Sequence, residues 1–228
     1  MSTSILTSLQ NPMVKKWRLL NKSRAERMAQ GFFIAEGEHM TQEAIQNKSA
    51  SMMLVAESAM EKFAHLLNTG ISVQVLADHV FASLCETKSP QGILALCSYP
   101  AQITLEKLGH RIVCLNGVQD PGNVGTILRT MDAAGFTGLL IDGNTADPYS
   151  PKVLRATMGS IFRIPVLQTK QLSQTLDVLQ QNDFEILAGD LMGKPFSTSE
   201  KGKKTPASLS AMKVPASPPK SKKKRPYA

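Results

Sequence analysis

The sequence has no C-x-x-C pair. Its three cysteines, Cys85, Cys97 and Cys114, stand far apart and read as buried free thiols in a reducing compartment rather than as a disulfide frame. The four histidines are equally scattered, so no metal site is expected. Neither G-x-G-x-x-G nor G-x-x-x-x-G-K-[ST] occurs, which argues against dinucleotide and nucleoside-triphosphate sites. No apolar run approaches the length of a membrane span, and "MSTSILTSLQNPMVKK" lacks the layout of a signal peptide. A cytoplasmic protein with no membrane partner is the expectation.

Positive charge is present but unevenly placed. The chain carries a net +8 over 228 residues. Residues 201–228 hold eight Lys, one Arg and no acid, so they account for +9 and leave residues 1–200 at −1. Within that body the first 30 residues carry Lys15, Lys16, Arg18, Lys22, Arg24 and Arg27 against Glu26 alone. One basic patch on an otherwise slightly acidic body points to phosphate attraction, and so to nucleic acid. On this ground Lys15, Lys16, Lys22, Arg24 and Arg27 are candidate nucleic-acid-binding residues.

What is present in the body is alternation of short apolar runs with helical periodicity. "NPMVKKWRLLNKSRAERMAQ" predicts one helix, with Val14, Trp17, Leu20 and Met28 on its apolar side. "GFFIAEG", "SMMLVAE", "ISVQVLA" and "GILALCS" read as strands, separated by helices that include "SAMEKFAHLLN" with Ser58 as its cap. A second run begins with the strand "RIVCLNGV", the turn "QDPGN" and the helix "VGTILRTMDAAGF". It continues through "GLLIDG", a helix "SPKVLRATMGSIF" with Ser150 as cap and Pro151 at its first position, "RIPVLQ", "QLSQTLDVLQQN" and "FEILAGDL". The fold class expected is α/β: a first domain over 1–100, a linker over 101–109, a doubly wound parallel sheet over 110–204, and a disordered basic tail over 205–228.

Chemistry concentrates in Asp120–Phe136, at a strand's carboxyl end leading into a helix, where ligand sites of α/β folds usually lie. Gly122 and Gly125 allow a sharp turn and close approach, Asn123 can donate and accept, and Arg129 lies one turn beyond Gly125. The same residues also make a plain Gly-rich turn with a solvated Arg. For Lys152 and Arg155 a solvated helix face stands beside contact with RNA phosphate or a partner subunit.

"DPGNVGTILRTMDAAGF" closely resembles the first signature motif of the SpoU (TrmH-type) RNA 2′-O-ribose methyltransferases, and "SPKVLRATMGSIFRIPV" resembles the second. "SLQNPMVKKWRLLNKSRAERMAQGFFIAEG" and "TKSPQGILAL" resemble the RNA substrate-binding domain that precedes the catalytic domain in many members. Thr157 stands where the family often has Ser. The resemblance implies a SPOUT-type sheet with a trefoil knot, S-adenosyl-L-methionine as methyl donor, rRNA or tRNA as substrate, and a homodimer. It implies catalytic roles for Asn123, which orients the site, and Arg129. A guanidinium stays protonated in proteins, so Arg129 acts as a cation stabilising the developing alkoxide rather than as a literal base. Arg155 joins the RNA-binding candidates.

The family's third motif, of the type G-N-E-G-x-G-[IL]-S, should follow "FEILAGDL" and is absent as written, which leaves the cofactor-binding residues unassigned and predicts a sheet short of one strand. Read one base early, the junction of the Met212 and Lys213 codons forces Glu. Its neighbours permit Gly-Asn before it and Gly after it, and the junctions out to Pro218 permit Ser, Gly, Ile and Ser. A one-base slip near Lys204–Thr205 therefore accounts for the tail. The rival reading is an evolved proline-rich basic tail, and with it a non-catalytic RNA-binding protein.

Overall fold

A computed structural model describes residues 4–189 and 208–213. It opens with two helices, α1 (Pro12–Lys22) and α2 (Arg24–Gln30), where the sequence pattern reads as one. Ser23 divides them: its extended backbone (φ −136°, ψ 127°) ends α1, and its hydroxyl accepts from the Glu26 amide to start α2. The break rephases the second helix. Val14, Trp17 and Leu20 face the core as their spacing predicts, but Met28 is 56% exposed and Arg27 is turned inward instead.

The first sheet follows through β1 (Phe32–Glu36), α3 (Glu38–Gln46), β2 (Ala50–Ala56), α4 (Ala64–Leu67), β3 (Ser72–Leu76), α5 (Asp78–Ala82) and β4 (Ile93–Ser98). Its order is β1-β4-β2-β3, with β4 antiparallel to both neighbours and β2 parallel to β3. The helix expected over 58–68 shrinks to α4. Ser58 is not its cap, because its amide and hydroxyl both donate to Asp78 Oδ1, at 3.2 and 2.9 Å. Residues 105–108 then make a short 3-10 turn that buries Leu108 completely.

The second sheet is built from β5 (Arg111–Asn116), α6 (Pro121–Ala133), β6 (Gly138–Ile141), α7 (Pro151–Thr157), β7 (Val166–Gln168), α8 (Leu172–Gln181), β8 (Glu185–Gly189) and β9 (Ser208–Lys213). All its pairings are parallel, in the order β7-β6-β5-β9-β8. Strand alternation sends Val113, Leu115, Leu139 and Ile141 toward α6 and α7, and Ile112, Cys114 and Leu140 toward α8. The helix expected over 150–162 ends at Thr157, because Met158 (φ 50°) and Gly159 (φ 90°) adopt left-handed backbone.

For Ser208–Lys213, β9 corrects the expectation of a disordered tail and of a sheet short of one strand; residues 205–207 and 214–228 of that expected tail lie outside the described residues. Ser208–Lys213 pair with β5 from Arg111–Ser208 to Asn116–Lys213, and with β8 from Glu185–Ser208 to Gly189–Met212. The slot between β5 and β8 offers unpaired backbone on both sides, and six residues free of Gly and Pro fill it. The expected knot, and residues 190–204 of the expected catalytic domain, lie outside the described residues.

The two sheets share one core. Phe33, Met40, Ala44, Ala95 and Cys97 from the first pack with Val118, Val153, Leu154 and Ile161 from the second. Phe33 stands 5.1 Å from Tyr149 and 6.0 Å from Phe162 between ring centroids, and Tyr99 stands 4.8 Å from Tyr149. Ion pairs close the same seam. Arg27 binds Asp147 and the Leu20 carbonyl, while Arg163 binds Glu43 of α3 and Asp132 of α6. At Gly159 a side chain is excluded, since a Cβ would lie 2.5 Å from Glu43 Cγ.

Candidate active site

The parallel strands bring the loops after β5, β6 and β7 to one end of the second sheet. α6 begins there, one turn earlier than the sequence pattern suggests: Asp120 is its N-cap, Pro121 its first residue, and Asp120 Oδ1 accepts from the Asn123 amide at 2.8 Å. Asp-Pro is the same start signal that Ser150-Pro151 gives for α7, and it was there to be read. Asn123 therefore sits in the first turn of α6 with its side chain exposed. Gly125 does not shape the loop. It faces α7, where a Cβ would lie 2.3 Å from Ala156 Cβ and 2.9 Å from the Val153 carbonyl, so it sets how closely the two helices pack.

A network that the motifs did not reveal fixes this end. Asp142, the first residue after β6, is almost fully buried. Its Oδ1 accepts from the Gly117 amide (3.0 Å), the Thr145 amide (2.9 Å) and the Thr145 hydroxyl (2.6 Å). Val118 donates to the Thr145 hydroxyl oxygen, and Ala146 donates to the Val118 carbonyl. The loop leading into α6 is thus stitched to the loop leading into α7. Burial pushes the Asp142 carboxyl up, but the hydrogen bonds from Thr145, Gly117 and Asn144 outweigh it and hold the group below the ordinary aspartate range. The composition of "DGNT", a turn rich in side chains that bond backbone, was the only local signal.

Beside Asp142 opens a cavity of about 470 Å³, lined by Asn116, Asp142, Asn144, Lys170 and Ser173 with Leu172 and Leu176. Its amides, carboxylate, hydroxyl and ammonium can both donate to and accept from a polar ligand, and its two leucines can cover an apolar ring.

The sequence candidates fall into three groups. Asn123 and Arg129 share α6 but not a face. Six residues apart, they are separated by a rise of about 9 Å and a rotation of about 120°. Arg129 lies one helical turn beyond Gly125, toward the middle of α6. It is exposed and makes no ion pair among the described residues. Lys15, Lys16 and Lys22 project from α1 into solvent, while Arg24 is half-buried against the Tyr99 hydroxyl. Lys152 is exposed on α7; Arg155 is partly buried, and its Nη1 has no hydrogen-bond partner among the described residues. Arg27 is a correction: it is 4% exposed and spent on Asp147 and Leu20, so it is not available to RNA. The rephasing at Ser23 is the cause. Thr157, the expected departure, is fully buried, and its hydroxyl donates to the Leu154 carbonyl at 2.7 Å.

No group of His, Cys, Asp and Glu suited to a metal occurs among the described residues. Nor is any helix among them long and apolar enough to cross a membrane. Burial pushes the Cys114 thiol up to about 12, with Asp142 adding to it, and Cys85 likewise to about 12 with Glu36. These thiols are not nucleophiles at neutral pH.

Comparison with known proteins shows the family of the chain. The SpoU rRNA Methylase family matches residues 110–209, and the MRM3-like substrate binding domain matches residues 11–95. The 23S rRNA (guanosine(2553)-2′-O)-methyltransferase RlmP of Bacillus subtilis is 33% identical over 194 residues, covering 84% of this chain and 75% of the relative. The human mitochondrial rRNA methyltransferase 3 is 30% identical over 156 residues, 64% of this chain but 37% of its own length. Among solved structures, an rRNA methyltransferase from Sinorhizobium meliloti superposes with a TM-score of 0.78 at 28% identity, over 95% of this chain and 84% of that one. The AdoMet-bound rRNA methyltransferase from the same organism gives a TM-score of 0.73 at 26% identity, over 95% and 90%.

Proposed function

The chain belongs to the SpoU family of S-adenosylmethionine-dependent RNA 2′-O-ribose methyltransferases, and from that premise we propose how its own residues serve the reaction on rRNA or tRNA. The observation that carries the reading is the start of α6. Asp120 caps it and Asp142 and Thr145 fix the loop before it, so Asn123 is held at the carboxyl end of the sheet with its amide side chain free. There it orients the target ribose, and orientation of this kind supplies much of the advantage in a displacement.

S-adenosylmethionine supplies an electrophilic methyl group when bound. The neighbouring cavity has a donor set that fits a nucleoside, the moiety that cofactor and substrate share: Asp142, Asn116 and Asn144 suit hydroxyl and amino groups. Arg129 stabilises the alkoxide that develops on the 2′-oxygen as its proton leaves. Its separation from Asn123 along α6 supports a role across a dimer interface rather than at its own chain's site. In a homodimer, it serves the site of the second copy. Lys15, Lys16 and Lys22 hold RNA phosphates, and the three unoxidised thiols suit a cytoplasmic protein.

The direct test is transfer of a tritiated methyl group from S-adenosylmethionine to ribosomal RNA, with the product linkage resistant to alkali because its 2′-oxygen is capped. Asn123→Ala and Arg129→Ala should each lower transfer about 10²-fold or more. Mixing the two weakened variants should restore part of it, whereas no recovery would place Arg129 at its own chain's site. Binding of RNA by a chain that transfers no methyl under any condition would favour the non-catalytic reading.

A one-base slip near Lys204–Thr205 also forms part of the proposal. The positions whose shifted codons permit Gly-Asn-Glu-Gly, 210–214, overlap β9, beside the strand that leads into Asn123. The nucleotide sequence decides: without codons for that tetrapeptide in the early frame, the slip is refuted.

A further inference from the structure

A second and larger space, about 900 Å³, lies between the two sheets and has no part in the chemistry described above. Its walls are α2, residues 99–103 and the edge strand β7, with Arg24, Met28, Tyr99, Gln102, Tyr149 and Lys170 among them. This is toward the upper end of the roughly 300–1,000 Å³ typical of ligand pockets. We infer that this groove holds an unpaired stretch of the substrate RNA next to the methylated nucleotide. The inference rests on the family reading above but concerns a different surface.

Four features support it. Arg24 and Lys170 are the charged residues of the lining, both are cations, and no carboxylate shares the wall with them. That charge suits a polyanion and opposes an acidic-faced protein partner. The uncharged part of the wall sets the partly exposed ring of Tyr99, backed by the buried Tyr149, beside the exposed thioether of Met28, polarisable surface on which a base can stack without regard to sequence. Gln102, beside them, can meet a base edge.

The groove is also continuous with the active site. Gly143 and Lys170 line both this space and the smaller cavity at the carboxyl end of the sheet. A strand lying in the groove therefore runs directly to the place where a target nucleoside is held. Finally, the basic surface leads into it. Lys22 closes α1, and two residues later Arg24 opens α2 on the groove wall. Phosphates gathered on α1 deliver their strand to this entrance. A channel walled by two domains and an edge strand admits one strand and not a helix, which matches the single-stranded loops that sequence-specific RNA proteins read.

The test uses the full chain and a fluorescent single-stranded oligoribonucleotide of about 12 nucleotides, beside the same sequence as a duplex, read by anisotropy. Arg24→Glu should weaken single-strand binding by about tenfold or more and duplex binding much less. Met28→Glu, at an exposed position that leaves the fold intact, should weaken it several-fold. A 4-thiouridine version of the oligomer should crosslink to peptides containing Met28 or Tyr99. Unchanged affinity in Met28→Glu, or crosslinks confined to other surfaces, overturns the inference. So does a protein–protein crosslink that fills the groove with another segment of this chain or a second copy while RNA is bound. If methyl transfer proceeds normally in both variants at limiting RNA, the groove fails and the family reading stands. If wild-type protein transfers no methyl yet crosslinks in the groove, the reverse holds.

Discussion

The seam between the sheets and the open end of the second sheet use similar residues to opposite effect. At the seam two arginines have partners within the chain: Arg27 has Asp147 and the Leu20 carbonyl, and Arg163 has Glu43 and Asp132. At the open end Asn123 and Lys170, and further along α6 Arg129, are exposed, and none is held by an ion pair among the described residues. Polar groups that the fold has already satisfied hold it together. Those it holds out unsatisfied are the ones that act on something else.

The contrast breaks most sharply at the seam. Asp147→Ala leaves the Arg27 guanidinium buried without its counter-ion, and should cost about 3–5 kcal/mol in urea unfolding. Replacing both partners by apolar residues of similar volume should recover most of that loss, because the penalty lies in the uncompensated charge. The next largest effect is the mirror image. Arg129→Ala should lower methyl transfer about 10²-fold or more while leaving the unfolding midpoint where it was, as expected of a group that stabilises charge only in the transition state.

Acid should separate the two regions more gently. For Asp132, burial raises the carboxyl but hydrogen bonds from Arg163 and Ser160 and the Arg163 charge bring it below the ordinary value; Asp142 is lowered by its own network. A lowered carboxylate contributes stability that is complete above its unfolded value of about 3.9 and is lost as the pH falls through the lower folded value. Stability should therefore be flat near neutrality and fall below about pH 4, and Asp142→Asn should flatten that acid limb. Smallest of all, Lys15→Ala and Lys16→Ala should leave folding untouched and each reduce the salt slope of RNA binding by roughly 0.7 to 0.9.

Legibility from sequence followed the range of the interactions. α1 and the strands of both sheets other than β9 could be read because their apolar spacing is local, and the signature around Asn123 because it is contiguous. The division of α1 from α2 was encoded in Ser23 and Glu26, a cap and its partner three residues on, but masked by a hydrophobic pattern that spans both. The burial of Arg27 was not legible: Asp147 lies 120 residues away, and nothing near Arg27 distinguishes it from the solvated cations around it. β9 was hidden by proline- and lysine-rich surroundings, since the slot that receives it belongs to β5 and β8. The groove draws on several segments of the chain, and no one of them looks like a binding site alone.

Phe33, Tyr99, Tyr149 and Phe162 interlock across the seam, and one core runs through both sheets. That packing ties the position of α1 to that of the first turn of α6, which carries Asn123. On the proposed reading such a protein would measure as well as bind. An RNA whose target ribose sits at the wrong contour distance from phosphates held on α1 would not satisfy both ends at once, and should be turned away by length before any base is read.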